Sequence, residues 1–482
     1  MRPDVVIDTV RNILMNARAY EAERLDKIHA ATLPWTASNA LSHLEVKGIT
    51  PTNLDGPMAA IPGLARKSQT NFLPLILQQY SQGLKVDNYL AGGEMDPLTN
   101  KRVREQAKPW EWWQRNKFDA RQTGVHYGAL KYGVSYVTVL PSMTPGVEPA
   151  LRTPSAYLRG VSPRQMTAVY GERMEWDPRV GGSVDDDWPL YAMEMNGAAI
   201  RFYDEEKVHF LGVKNAPESA LGWKDAAYSG RSNFDYIEGR SHGVGVCPVV
   251  RYQDRIQLDG EEQYGIIEPL LSIQSRIDET TFEMMISQYY TAFKQRYVIG
   301  WVPKDQSEAL RQAASDTWFF KDDTVKVGQF DAADNKGYLE SKASAVRDLA
   351  AIGQIPAQNL GIDGISNISE ATLAGLEAGK DRNTAEIATS LGESHEQLLR
   401  TCAHITGDTE SAQDYASEVK WREQTARSFA QTVDGLVKLG TGLGIPEEIL
   451  WEDIPGWTRE KILRARRMKE DPEFDIEPTD GA

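Results

Sequence analysis

Residues 261–292 constrain the fold more than any other stretch of this chain. Ile266, Leu270, Ile273, Ile277, Met285 and Tyr289 recur at three- to four-residue spacing apart from one gap, which predicts one long helix. A helix of that extent reaches about 45 Å at 1.5 Å per residue. It carries six acids (Glu261, Glu262, Glu268, Asp278, Glu279 and Glu283) against one base, Arg276. The segments around it are read against this rod.

With 482 residues, an acidic net charge of −16 and an ordinary apolar fraction, the chain fits roughly two to four folded domains. Such a charge excludes a protein that coats DNA tightly, because phosphate binding runs on clustered Lys and Arg. It fits either an ordinary acidic protein or a surface past which DNA slides without sticking. Cys247 and Cys402 stand far apart and outside any CxxC pair, so neither a zinc site nor a disulfide framework is expected. Residues 1–30 carry acids within their apolar stretch and do not read as a signal peptide. No apolar run approaches the ~20 residues needed to span a bilayer. The expected setting is the cytoplasm or something assembled there, with no membrane partner.

Residues 4–30 predict an amphipathic helix with Val6, Val10, Ile13, Ala17, Tyr20 and Leu25 on one face. An irregular stretch, 31–60, and a helix over Thr70–Gln82 follow. Residues 110–133 read as a helix stopped by Gly133, and 135–141 as a strand ended by Pro141. Between 150 and 255, AYLRGVS, MTAVYG, LYAMEMN, AAIRFYD, KVHFLGV and CPVVRYQ are strand candidates of a β-rich domain. Asp185–Asp187 reads as a solvated turn, since a lone triplet lacks the ligand set of a calcium loop. After the rod come RYVIGWV and DTVKVGQF as strands, with SEALRQAA as a helix between them. A short helix, Ser341–Gly353, and a Gly/Asn/Ser-rich loop, 355–369, come next. A second long helix runs from Ser369 to about Ile405, the strand SEVKW precedes a helical region over 425–470, and the acidic tail is expected to be disordered.

Signatures of chemistry fail on inspection. GLEAGKD (375–381) has three residues between its glycines where a P-loop has four, and Asp381 where Ser or Thr holds magnesium. It reads as helix with small residues on a packing face. GTGLG (440–444) lacks dinucleotide-loop spacing. His395-Glu396 lacks the second His of HExxH. His126 reads as a satisfied core or interface histidine. Trp110, Trp112 and Trp113 offer rings for base stacking, yet their helical spacing favours packing. No nucleophile–base arrangement, cofactor site or metal site emerges, and the chain is not expected to be an enzyme.

The order of the pieces, with local matches, resembles a tailed-phage portal protein (head-to-tail connector) of the class found in siphophages of actinobacteria. WEWWQRNKFDARQTGVHYGALKYGVSYVTV (110–139) is similar to the family's Trp, Asn, Asp, His, Ala-Leu and YG-x-SYV pattern. CPVVRYQDR (247–255) is similar to its proline-plus-Arg strand, and GIIEPLLSIQSRIDETTFEMMISQYYTAFKQRYVIGW (265–301) to its long helix and aromatic-x-x-Gln-Arg exit, with Lys294 where Pro is usual and Tyr297 where Trp is usual. VGQFDAAD, IGQIPAQNLG and SNISEATLAGLEAG (327–379) resemble its stem, tunnel loop and following helix. The likeness covers about 65–470. KIHAATLPW stands where the family has a paired-Tyr and Gly pattern.

The resemblance implies an α+β portal fold and a ring, usually of twelve copies, around a double-stranded DNA channel at one capsid vertex. Its parts would be an N-terminal helical segment (1–49), a β-rich wing (50–260), stem helices (261–292 and 339–353) and a small α/β clip (293–338). A tunnel loop (354–369), a long helix and wing return (370–421), a helical crown (422–470) and the tail (471–482) would follow. Channel-lining residues would be Gln358, Asn359, Gly361, Asp363, Gly364, Ser366, Asn367 and Ser369 in the loop and Glu268, Asp278, Glu279 and Glu283 in the stem. Lys294, Arg296, Lys304, Arg311, Lys321 and Lys326 would form the clip surface that docks terminase and then the head–tail adaptor. Major capsid and scaffolding proteins complete the expected partners. A minor capsid or other virion protein without a channel is the alternative.

Overall fold

Helix α1 (Pro3–Asn12) starts on a proline, where the missing N–H has no intrahelical role. Val6 and Val10, with Ile13 and Leu14 of a π-helical turn (Ile13–Arg18), pack on Met193, Ile200, Phe202 and Leu211. The wider π turn shifts the phase of the apolar stripe. Helix α2 (Ala19–Ala31) accordingly buries Ala19, Ala22, Leu25 and Ile28. Tyr20, expected on the inner face, turns outward to 60% exposure, with Lys224 Nζ 3.6 Å from its ring centroid.

This structure, a computed structural model, describes residues 1–33, 61–95, 102–103, 106–143, 153–171, 188–256, 263–292, 296–300, 325–329, 334–361, 370–422, 429–451, 454, 457 and 459–470. They fall into two compact units, Met1–Arg422 and Glu423–Ala482. Asp185–Asp187, SEALRQAA and the acidic tail lie outside the described residues.

In the first unit, α3 (Ile61–Lys67) and α4 (Leu73–Gly83) lead to β1 (Val86–Leu90), and a ribbon joins β2 (Glu94–Met95) to β3 (Arg102–Val103). The predicted 110–133 helix is broken into α5 (Trp110–Arg115) and α6 (Phe118–Tyr132) by Lys117, which is left-handed at φ 53°. Gly133 ends α6 at φ +82°, as expected. A Cβ there would meet the backbone of Tyr264.

Three antiparallel strands follow the order β11–β4–β5, with β4 Val134–Met143, β5 Pro154–Val161 and β11 Val249–Gln253. Pro141 does not end β4. It pairs with Ala156 of β5, while β11 pairs only with Val134–Thr138, so its missing N–H faces an open edge. A five-stranded antiparallel sheet runs β10–β9–β8–β7–β6. Its strands are β6 Met166–Val169, β7 Tyr191–Asn196, β8 Ala199–Tyr203, β9 Lys207–Val213 and β10 Phe234–Ser241. The sequence pattern gave no hint of β10: it is a mostly exposed edge strand, with a bulge at Tyr236/Glu238 and Ile237 pointing out.

Helix α7 (Leu271–Ala292) is shorter than expected. Gly265 and Pro269 interrupt the pattern, and Glu268–Leu270 forms a 3-10 turn. The 22 residues span about 33 Å. Strands β12 (Arg296–Ile299) and β13 (Lys326–Gln329) pair antiparallel. Helix α8 (Lys336–Ile352) begins earlier than Ser341, and α9 (Glu370–Thr406) runs for 37 residues. β14 (Glu418–Trp421) returns to pair with β1. A shared core joins Leu73, Ile76 and Leu77 of α4, Ala129 and Leu130 of α6, Ile277 of α7, Leu349 of α8 and Leu391, Leu398 and Leu399 of α9. In the second unit, GTGLG closes the helix Phe429–Leu443, with Gly444 at φ +65°, and the helices Glu447–Leu450 and Arg459–Glu470 follow.

Candidate channel segment and its anchorage

Helices α7 and α8 pack side by side. Arg276, near the start of α7, pairs with Asp348, near the end of α8, so they run antiparallel. Two of the acids expected on a channel wall, both half-buried, bond within the chain. Glu268 sits on the 3-10 turn and takes a bidentate pair of bonds from Arg24 of α2, both 2.7 Å. Asp278 accepts from the Thr70 backbone N–H at 2.9 Å and from Gln274 Nε2 at 3.1 Å. Their charge is used to join segments, which a hydrophobic rhythm read in one dimension does not reveal. Glu279 and Glu283 lie half-buried on α7.

The expected loop 354–369 is in its first half an anchored turn. Gln354 is left-handed at φ 50°, a strained state for a residue with a side chain. Ile355 and Leu360 are buried in the main core, and Ala357–Leu360 forms a 3-10 turn. Tyr80 Oη donates to the Gly353 carbonyl at 2.9 Å and accepts from Asn383 Nδ2 at 3.1 Å. Asn359 donates to Gln79 Oε1 at 3.3 Å, and the Gln358 Oε1 is buried without a hydrogen-bond partner. The segment read as a Gly/Asn/Ser-rich loop is thus packed into the core over 355–360. Gly361 ends this turn, exposed and left-handed at φ +78°. Asp363, Gly364, Ser366, Asn367 and Ser369 lie outside the described residues.

A cavity of about 600 Å³ opens beside this turn, lined by Arg255, Tyr264, Gln354, Arg382, Asn383 and Glu386 among others. Asp254, fully buried next to it, is pushed up to about 7 by burial, against the pull of Arg255. Gly375 and Gly379 lie within α9, as expected for a helix rather than a P-loop. They do not serve a packing face in this chain: a Cβ on either would touch nothing within 4 Å among the described residues.

Of the clip cations, Arg296 opens β12 opposite Gln329, and the exposed Lys326 opens β13 opposite Ile299, at opposite ends of the hairpin. Lys294, Lys304, Arg311 and Lys321 lie outside the described residues.

The tryptophans are packing groups. Trp110 and Trp113 are buried and stack at 5.0 Å, and Arg115 covers the half-buried Trp112 at 5.0 Å. Beside them is a polar centre that sequence reasoning missed. His126 Nδ1 lies 3.0 Å from the Leu84 carbonyl, His126 Nε2 lies 2.7 Å from His395 Nε2, and His395 Nδ1 lies 2.9 Å from Tyr252 Oη. Burial drives His126 down to about 4 and His395 well below the usual imidazole range. The two histidines are 269 residues apart, so no local spacing could pair them.

No curated protein matches the chain. Among solved structures it is similar to chains of three gene transfer agent structures. For "Virion of native gene transfer agent (GTA) particle" the identity is 12% and the TM-score 0.45, over 85% of this chain and 95% of that one. "Neck of empty GTA particle computed with C6 symmetry" gives 13% and 0.42, over 90% and 94%. "Neck of native GTA particle computed with C12 symmetry" gives 12% and 0.42, over 83% and 89%. The family model "Phage portal protein, SPP1 Gp6-like" matches residues 12–473. A match across nearly the whole length places the α7–α8 pair, the anchored turn and α9 in a known context: the chain belongs to the SPP1 Gp6-like family of phage portal proteins.

Proposed function

We propose that copies of this chain close a ring, twelve in number as the resemblance implies, at one capsid vertex. Double-stranded DNA passes through its centre during packaging and ejection. The family match over residues 12–473 carries this reading. The subunit works mechanically, as a structural member of the virion, while a separate terminase hydrolyses ATP. Terminase and later the head–tail adaptor dock on the β12–β13 region, where Arg296 and Lys326 stand. Capsid and scaffolding proteins surround the ring, which is built in the host cytoplasm.

The channel wall is acidic and sequence-blind. A net charge of −16 disfavours tight phosphate binding. Glu268, Asp278, Glu279 and Glu283, all half-buried, are the candidates for that wall. The segment beyond Gly361, with Asp363, is the candidate for its narrowest part. Negative-stain images of the purified protein test the ring: annuli with a central hole are expected, and compact monomers at all concentrations contradict it. Asp363→Lys tests the wall. Rings and proheads should form while DNA filling falls. Failed rings would make the segment structural, and unchanged filling would remove it from the DNA path.

A further inference from the structure

The buried histidine centre joins three elements that are remote in sequence. His126 belongs to α6, His395 to α9 and Tyr252 to β11, and the Leu84 carbonyl follows α4. All three side chains are fully buried. Trp113 and Phe118 stand edge-on to His395, with ring centroids at 5.0 and 6.2 Å, and Trp421 closes the other side at 6.0 Å.

The geometry fixes every proton. A carbonyl only accepts, so His126 carries its hydrogen on Nδ1 and donates to Leu84. Its Nε2 then accepts from His395 Nε2–H, and His395 Nδ1 accepts from the Tyr252 hydroxyl. Three donors meet three acceptors, with none left over. One more proton on either ring gives a donor too many and a buried charge.

Among the described residues, no carboxylate faces the rings to offset that charge. Asp119 of α6 is taken by Trp113 Nε1 at 2.9 Å. Glu396 of α9 turns to the Val419 backbone N–H at 3.1 Å on β14. Cys402 and Tyr252 both have their protons held on by burial.

We propose that the Leu84–His126–His395–Tyr252 chain is a proton-sensitive joint that fixes the axial register of α9 against α6 and β11 and opens when His126 takes a proton. While neutral it resists sliding, because shifting a helix by one turn, about 5.4 Å, breaks both histidine bonds. Once protonated, the facing nitrogens no longer match, and an orphaned buried donor works against closure.

The test uses the full-length protein and hydrogen exchange read by mass spectrometry. Exchange at the histidine C2 position reports each ring's midpoint. His126 should titrate near pH 4, far from the free-imidazole value of about 6.5. Opening frees both rings, so backbone exchange over 391–403, corrected for intrinsic rates, should rise by more than about tenfold for each pH unit below about 6.5, until His126 itself titrates in the folded state. In His126→Gln, which takes no proton there, that slope should become shallower by one proton, with the share of His395 remaining. A wild-type midpoint near 6.5 in the folded protein overturns the proposal, even if the variant does not fold. So does backbone exchange over 391–403 that is independent of pH in the wild type.

Discussion

Two buried histidine chains in the first unit differ by one carboxylate. In the main core, His126 and His395 are bonded, among the described residues, only to each other, to a hydroxyl and to a carbonyl. In the five-stranded sheet, His209 lies between Tyr236 Oη at 2.9 Å and Asp204 Oδ2 at 3.0 Å. Burial pushes the Asp204 carboxyl up, but His209 and the backbone N–H groups of Lys207 and Glu206 outweigh it and hold the carboxyl well below its usual range. The same side chain thus serves a neutral joint in one place and an anchored anion in the other. What decides between them is whether a carboxylate shares the burial.

Removing the anion should cost the most. Asp204→Ala leaves His209, the Met1 ammonium and two backbone N–H groups without their acceptor, and should lower stability by about 3–5 kcal/mol, read from the urea midpoint. A loss under about 1 kcal/mol would mean that the sheet repacks and the contrast is false. His395→Leu comes next. It orphans the Tyr252 hydroxyl and the His126 Nε2 lone pair, and should cost roughly 2–4 kcal/mol in the same assay.

The pH dependence should separate the two centres. His126 and His395 are depressed in the folded state, so the unfolded chain takes their protons first. Their contribution is complete above about pH 6.5 and is lost as pH falls towards about 4. Asp204 is depressed too, but from about 3.9, so its contribution is lost only below that. The thermal midpoint should therefore fall in two stages. Replacing both His126 and His395 should remove the first and leave the second, and replacing His126 alone should only shrink the first. A single stage below pH 4 in the wild type would break the comparison.

The smallest effect sits one residue from the joint. Burial raises Glu396 to about 7, with Glu393 and Glu418 adding to the shift, while the Val419 N–H and Arg400 oppose it. A carboxyl raised on folding contributes most below its unfolded value of about 4.3 and loses that as pH rises through about 7. Glu396→Gln keeps the acceptor for Val419 without the charge. It should gain about 1 kcal/mol at pH 8 and nothing below about pH 4.

Much of the fold was legible because it is local. Apolar spacing located α1, α4, α7 and α9, alternation located β4 to β9, and Gly133 marked the end of α6. Three features lie beyond what a one-dimensional pattern carries. Tyr20 is turned out by a π turn that spacing cannot register. Pro141 stays in its strand because β11 does not extend that far. Glu268 and Asp278 bond to Arg24 and Thr70, more than 200 residues away. The histidine joint was invisible for the same reason, although both of its rings were noticed singly.

Two glycines give the helix pair its footing. Gly133 closes α6 against the Tyr264 backbone, and a Cβ on Gly265 would fall within 3 Å of the Leu130 and Lys131 carbonyls. The Ile266 N–H bonds to the Leu130 carbonyl at 2.9 Å. Main chain rests on main chain here, with no side chains between to yield. The end of α6 and the approach to α7 are thus joined backbone to backbone, so a side chain larger than hydrogen at either glycine would push the two segments apart.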